Sequence, residues 1–93
     1  MQDDYFEWDD AKAASNRQKH RVSFDDARHV FDDPNGIDES DDDPDEDRWK
    51  RTGRGSSGLL LVVFVERDPR IRIISARRAN NHEQALYDRQ SLP

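Results

Sequence analysis

Seven consecutive apolar residues, Leu59 to Val65, form the longest hydrophobic run of the chain, and this run constrains what everything else can fold into. It is short and β-branched, so it reads as a central β-strand rather than as a buried helix. It also falls far below the ~20 residues that a membrane-spanning helix requires. After the turn residues Arg67, Asp68 and Pro69, the segment Arg70 to Ala76 alternates arginine with isoleucine. That alternation predicts a half-buried strand with Ile71 and Ile73 inward and Arg70 and Arg72 outward. Apolar residues are scarce elsewhere: they make up 32% of the 93 residues, and charged residues make up 39%. An average globular domain has roughly 45–50% and 25%. The chain is therefore expected to be a single domain over residues 1–93 with a thin core, since a domain of this size buries only about 60–65% of its unfolded surface.

The other elements are set by caps and breakers. Trp8 to His20 reads as a helix, with Asp9 or Asp10 at its N-terminus and Lys19 and His20 placed favourably at the negative end of its dipole. Phe6 and Trp8 alternate with Glu7 as a short extended lead-in. Ser23 and Asp26 have capping-box spacing, and Phe24, Ala27, Val30 and Phe31 make one apolar helical face. Asp33 to Gly36 stops that helix. Ile37 to Ser40 is a short edge strand, Arg48 to Thr52 a second strand, and Gly53 to Gly58 a turn. Asn80 caps a last helix with Glu83 at the capping-box position, Ala85 and Leu86 cover the sheet, and residues 91–93 fray. The expected class is α+β: N-terminal helices on a twisted antiparallel sheet of three to four strands, then a C-terminal helix.

Charge is distributed unevenly. The net charge of −6 argues at first against nucleic acid, but residues 1–47 hold 17 acids and 5 bases, while residues 48–93 hold 4 acids and 10 bases. The halves thus carry −12 and +6, and the C-terminal half alone is that of a polyanion binder. Eight of the ten residues from Asp38 to Asp47 are acidic. Such a run reads as a solvated loop, or as an internal mimic of nucleic acid that covers the basic strands.

Several chemistries find no support. With no cysteine there is no disulfide framework, thiolate metal site or thiol nucleophile. Gly53, Gly55 and Gly58 lack the spacing of a phosphate loop, and His20, His29 and His82 lack metal-ligand spacing. The carboxylates at 41–43 and 45–47 do not follow the calcium-loop pattern. No metal or cofactor is expected. Residues Met1 to Tyr5 have no basic or apolar stretch of a secretory signal, so a cytoplasmic protein is expected.

What the residues do support is a phosphate-binding surface. Arginine's planar fork matches phosphate oxygens, and Arg48, Lys50, Arg54, Arg72, Arg77 and Arg78 fall on or beside the predicted strands. The bland alternative is a solvated strand face paired with the acidic loop. A metal-free ribonuclease is chemically feasible, because RNA carries its own nucleophile in the 2′-hydroxyl. The protein then supplies a base, an acid and cations for the phosphorane charge. His20 is an acid/base candidate because histidine titrates nearest neutrality, or else it is a helix-end residue bonded to backbone. Asp47 and Glu83 are the other candidates, Glu83 being more simply a cap.

Four segments also resemble the BrnT family of type II toxin–antitoxin systems. They are Phe6-Glu7-Trp8-Asp9 with Lys12 and Asn16, Lys19 and His20 with Val22 to Ala27, Val30 to Pro34, and Ile71 to Ala79 followed by Glu83 and Tyr87. The resemblance implies a RelE-like fold and a ribonuclease that inhibits translation and growth. It also implies neutralisation by a BrnA-type antitoxin in a two-plus-two assembly, with DNA contacted only through the antitoxin. On this reading His20, Asp47, Arg48 and Arg77 are the catalytic residues, and Lys50, Arg54, Arg72 and Arg78 bind RNA. Asp47-Arg48 stands where the family pattern has Glu-Arg. The rival reading is a catalytically weak module that mainly holds the antitoxin and serves operon autorepression.

Overall fold

The computed structural model describes residues 1–91. The elements are β1 (Phe6–Glu7), α1 (Asp10–His20), α2 (Phe24–Ala27) continued by a 3₁₀ turn (Arg28–Asp32), β2 (Ile37–Ser40), β3 (Arg48–Gly55), β4 (Gly58–Arg67), β5 (Arg70–Arg78) and α3 (Asn81–Ser91). The strands form one sheet of order β1-β5-β4-β3-β2. The α+β class and the C-terminal helix are as expected. The sheet, however, has five strands and is mixed, because the extended lead-in pairs parallel to β5 through Phe6–Ile71 and Glu7–Arg72. A two-residue strand is too short for its periodicity to be read from sequence.

Local chemistry sets the boundaries. Asp9 Oδ1 accepts from the Lys12 amide, so α1 starts after Trp8 rather than at it. Arg21 closes α1 in the left-handed region (φ 59°) with its amide on the Arg17 carbonyl. Ser23 Oγ accepts from the Asp26 amide as its spacing predicts. Gly53, Arg54 and Gly55 continue β3 instead of turning, and only Ser56 and Ser57 separate β3 from β4. Glycines at 53 and 55 serve close packing there, since a Cβ at Gly53 would lie 3.0 Å from Val30 Cβ and one at Gly55 2.8 Å from a Leu60 methyl.

One face of the sheet carries the core. Trp8, Val22, Phe24, Ala27 and Val30 from the N-terminal half pack on Leu60, Val62, Ile73 and Ala76. Phe31 meets Phe64 edge-on at 4.9 Å. Asn16 is buried inside this layer. Its Nδ2 donates to the Ala76 carbonyl (2.8 Å) and the Val22 carbonyl (3.1 Å), and its Oδ1 accepts from the Ala76 amide (3.1 Å). An amide side chain thus completes the β5 edge where β1 has already ended.

Strict alternation does not persist along β5. Val63 pairs with Ser75 and Phe64 with Ile73, which leaves Ile74 as a bulge. Ile73 and Ala76 therefore both face the core, and the polarity of everything after Ile74 is inverted.

Candidate nucleic-acid interface

Side chains opposite one another across paired strands share a face, so the register gives the composition of each side. The side turned away from α1 and α2 is built of Arg48, Val65 and Arg72, then Lys50, Val63 and Ser75, then Thr52, Leu61 and Arg77, then Arg54 and Leu59. Successive rows are about 7 Å apart along the strands, and Arg48 and Arg72 flank β4 at about 10 Å. Five of the six strand cations expected to meet RNA are thereby gathered on one surface with an aliphatic floor.

The sixth, Arg78, is a correction. The bulge turns Arg77 to the basic side and sends Arg78 to the other, where its Nη1 lies 3.4 Å from the Ser57 carbonyl. Continuing the Arg70/Arg72 alternation would have selected Arg78 and buried Arg77. Arg51 also lies on the core side, with Nε on the Val30 carbonyl, Nη2 on the Asp33 carbonyl and Nη1 on Asp38. It is a structural tie rather than a ligand.

Three cations on the basic side, Arg48, Arg72 and Arg77, are each held by a carboxylate. Arg72 Nη1 meets Glu7 Oε2 at 2.7 Å. Arg48 Nε meets Glu46 Oε1 at 2.7 Å and Asp43 Oδ2 at 3.3 Å. The Glu46 hydrogen bond, outweighing partial burial, raises Arg48 above the ordinary guanidinium value. Asp47, the acid/base candidate beside Arg48 in sequence, is exposed just before β3, and the acidic loop reaches Arg48 through Glu46 and Asp43.

Arg77 forms a two-toothed pair with Glu83, Nη1–Oε1 2.8 Å and Nη2–Oε2 2.9 Å. The bond from Arg77 lowers the Glu83 pKa despite burial, aided by the Asn80 amide. Glu83 thus stabilises the fold fully above its ordinary value of 4.5, and this contribution is lost as pH falls through the depressed folded value. Thermal melts from pH 7 down to 3 should show the Tm of Glu83→Gln falling less below pH 4.5 than that of the wild type. Parallel curves would contradict the assignment.

α3 crosses this side near the β3–β4 turn. Tyr87, not Ala85 or Leu86, is its buried residue. Tyr87 donates to Asp33 Oδ2 at 2.7 Å, and the Arg54 guanidinium lies 5.8 Å from its ring centre. Burial and the Asp33 carboxylate raise the Tyr87 pKa. Burial opposes ionisation of Asp33, but bonds from Tyr87, the Asn35 amide and the Arg54 amide keep its pKa below the usual carboxylate value. Leu92 and Pro93, expected to fray, lie outside the described residues, whereas Ser91 is the last residue of α3.

His20 stands at the C-terminal end of α1, next to β5. With Lys12, Ser15, Asn16 and Lys19 it lines a cleft of about 220 Å³ against Ile74 and Ser75 of β5. Ser75 belongs to the Lys50 row, so one wall of this cleft is a residue of the basic side. Lys12 and Lys19 add cations that the charge argument overlooked. Their signal was the helical stripe 12, 15, 16, 19 and 20 on α1. Among the described residues no three His, Asp or Glu side chains are grouped as metal ligands, and no helix is long and apolar enough to cross a membrane.

Comparison with curated proteins gave no match. A family profile described as the ribonuclease toxin BrnT of type II toxin–antitoxin systems matches residues 8–83. This stretch takes in α1 with His20, the whole β2–β5 sheet and Glu83. The chain belongs to the BrnT family of ribonuclease toxins, whose members act on RNA and are countered by a protein antitoxin.

Proposed function

We propose that this chain is an endoribonuclease that cuts RNA on the basic side of its sheet by metal-independent acid/base chemistry. What supports the reading is that Arg48, Lys50, Arg72 and Arg77 share one face of the sheet, while His20 lines a cleft with Ser75 of β5. A strand of RNA laid across β3, β4 and β5 meets Lys50, Arg54 and Arg72 as phosphate contacts. Arg77 takes the charge that develops on the phosphorane, and Arg48, two rows away on the other flank of the aliphatic floor, holds a phosphate further along the strand. His20 accepts the 2′-hydroxyl proton as that oxygen attacks phosphorus. The bond to the 5′ oxygen breaks, and this leaving oxygen takes a proton from the imidazolium or from solvent. The products are a 2′,3′-cyclic phosphate and a 5′-hydroxyl. Asp47 is the alternative base, and His20→Ala compared with Asp47→Asn separates the two.

The antitoxin on this reading is of the BrnA type and covers the same arginines with an acidic segment, which accounts for inhibition without a second site. The test uses purified protein and RNA in excess EDTA. Cleavage with cyclic phosphate ends, absent from a strand whose 2′-hydroxyls are replaced by hydrogen, is the expected result. Cleavage that EDTA abolishes, or that persists on the 2′-deoxy strand, would overturn the mechanism. Tight antitoxin binding with no growth arrest on expression of the toxin alone would instead favour a pure binding module.

A further inference from the structure

Glu83 does two things that a capping residue alone does not require. Asn80 Oδ1 accepts from the Glu83 amide at 2.8 Å, and Glu83 Oε1 accepts from the Asn80 amide at 2.9 Å, which completes a reciprocal capping box. That exchange uses one carboxylate oxygen, usually at the surface. Here the Glu83 side chain is only 14% exposed, whereas that of Arg77 is 38% exposed. The carboxylate lies beneath the guanidinium, and both of its oxygens accept from it. Nη1 of Arg77 is further tied to the Arg78 carbonyl at 3.1 Å. Arginine has many rotamers, and a fork held at both teeth keeps one of them.

We infer that Glu83 is the positioning residue of the cleavage site: it anchors Arg77 to the start of α3 so that the guanidinium is oriented toward the scissile phosphate before RNA arrives. The inference rests on the reading of Arg77 given above. It also assigns Glu83 a role other than acid/base. Three of its acceptor sites are taken by the guanidinium and the Asn80 amide, which favours a standing anion over a proton carrier, and its lowered pKa agrees.

Glutamine separates the two duties. It completes a capping box as well as glutamate does, but its amide presents one acceptor and one donor to the fork and carries no charge. Glu83→Gln should therefore keep the melting temperature at neutral pH within a few degrees while lowering kcat. A misplaced catalytic group costs on the order of 10²-fold, and KM should change much less. The loss should shrink when Arg77 is already Lys, because lysine has no fork to orient. The Arg77 Nε–H signal in ¹⁵N spectra, a single sharp resonance in the wild type, should broaden in Glu83→Gln. The pH–rate profile should keep its shape near neutrality.

Full activity of Glu83→Gln with Arg77→Ala inactive would overturn the positioning role alone. An undiminished loss in the Arg77→Lys background would do the same, and so would disappearance of one limb of the pH profile. If Arg77→Ala is itself fully active, the phosphate reading of Arg77 fails, and the positioning role fails with it.

Discussion

Arg77→Ala is expected to lower RNA cleavage on the order of 10²–10³-fold, the usual cost of removing one donor aimed at transition-state charge. The expectation follows from the β5 bulge, which alone puts this arginine on the basic side. The variant also leaves the Glu83 carboxylate without its principal partner, and an unpaired buried acceptor costs about 1–3 kcal/mol. Rates should therefore be compared well below the melting temperature of the variant, with circular dichroism confirming the fold. Arg78→Ala is the matched control: same charge change, next residue, opposite face. It should retain cleavage within about threefold, a size typical of a distant electrostatic change. Equal loss in both variants would mean that general charge, not the placement of Arg77, governs the reaction.

The largest effect on stability is expected at Asn16. Asn16→Leu keeps the branched outline, with bulkier methyl groups, but strands the Ala76 amide, the Ala76 carbonyl and the Val22 carbonyl in a buried layer. Several unmade bonds at about 1–3 kcal/mol each, offset by partial relaxation, give roughly 3 kcal/mol. That is a large share of the roughly 5–15 kcal/mol that holds a small domain together. The melting temperature should drop by roughly 10–20 °C, read by thermal circular dichroism or urea titration. A change below about 1 kcal/mol would show that water takes over these partners and that the amide is not a structural element.

These two residues mark where the sequence was legible and where it was not. The central strand, the arginine–isoleucine strand, the Ser23 cap and the Asn80–Glu83 box were readable because each depends on nearest neighbours and a fixed period. Phe24, Ala27 and Val30 were readable as core for the same reason. The bulge at Ile74 depends on how β4 and β5 meet, and no local signal announces it. Both Arg77 and Arg78 were expected at the surface, and the bulge keeps Arg77 on the basic side while turning Arg78 to the other. The extended lead-in at Phe6 and Glu7 was readable but not its parallel pairing with β5, which is set at long range, and Asn16 was not readable because a polar residue in a helix ordinarily points to water. The partners of Arg48, Glu46 and Asp43, were not readable either, because they depend on how the acidic loop folds back. The charge partition did locate the surface, because strands fix which side chains share a face once the register is known.

The pairing of Arg48 with its own loop bears on how this surface meets a polyanion. Nucleic-acid affinity usually grows with the number of condensed cations set free per phosphate neutralised. On the proposed reading, a phosphate arriving at Arg48 has to displace Glu46 and Asp43, which are tethered to the chain and remain nearby. The surface thus behaves as a zwitterionic layer. From a distance it presents little field to RNA, and its positive charge becomes available only on contact. The effective number of phosphates it neutralises is smaller than its arginine count. Discrimination then rests on close fit rather than on long-range attraction, which suits a domain that carries a net charge of −6 and yet takes an anionic substrate.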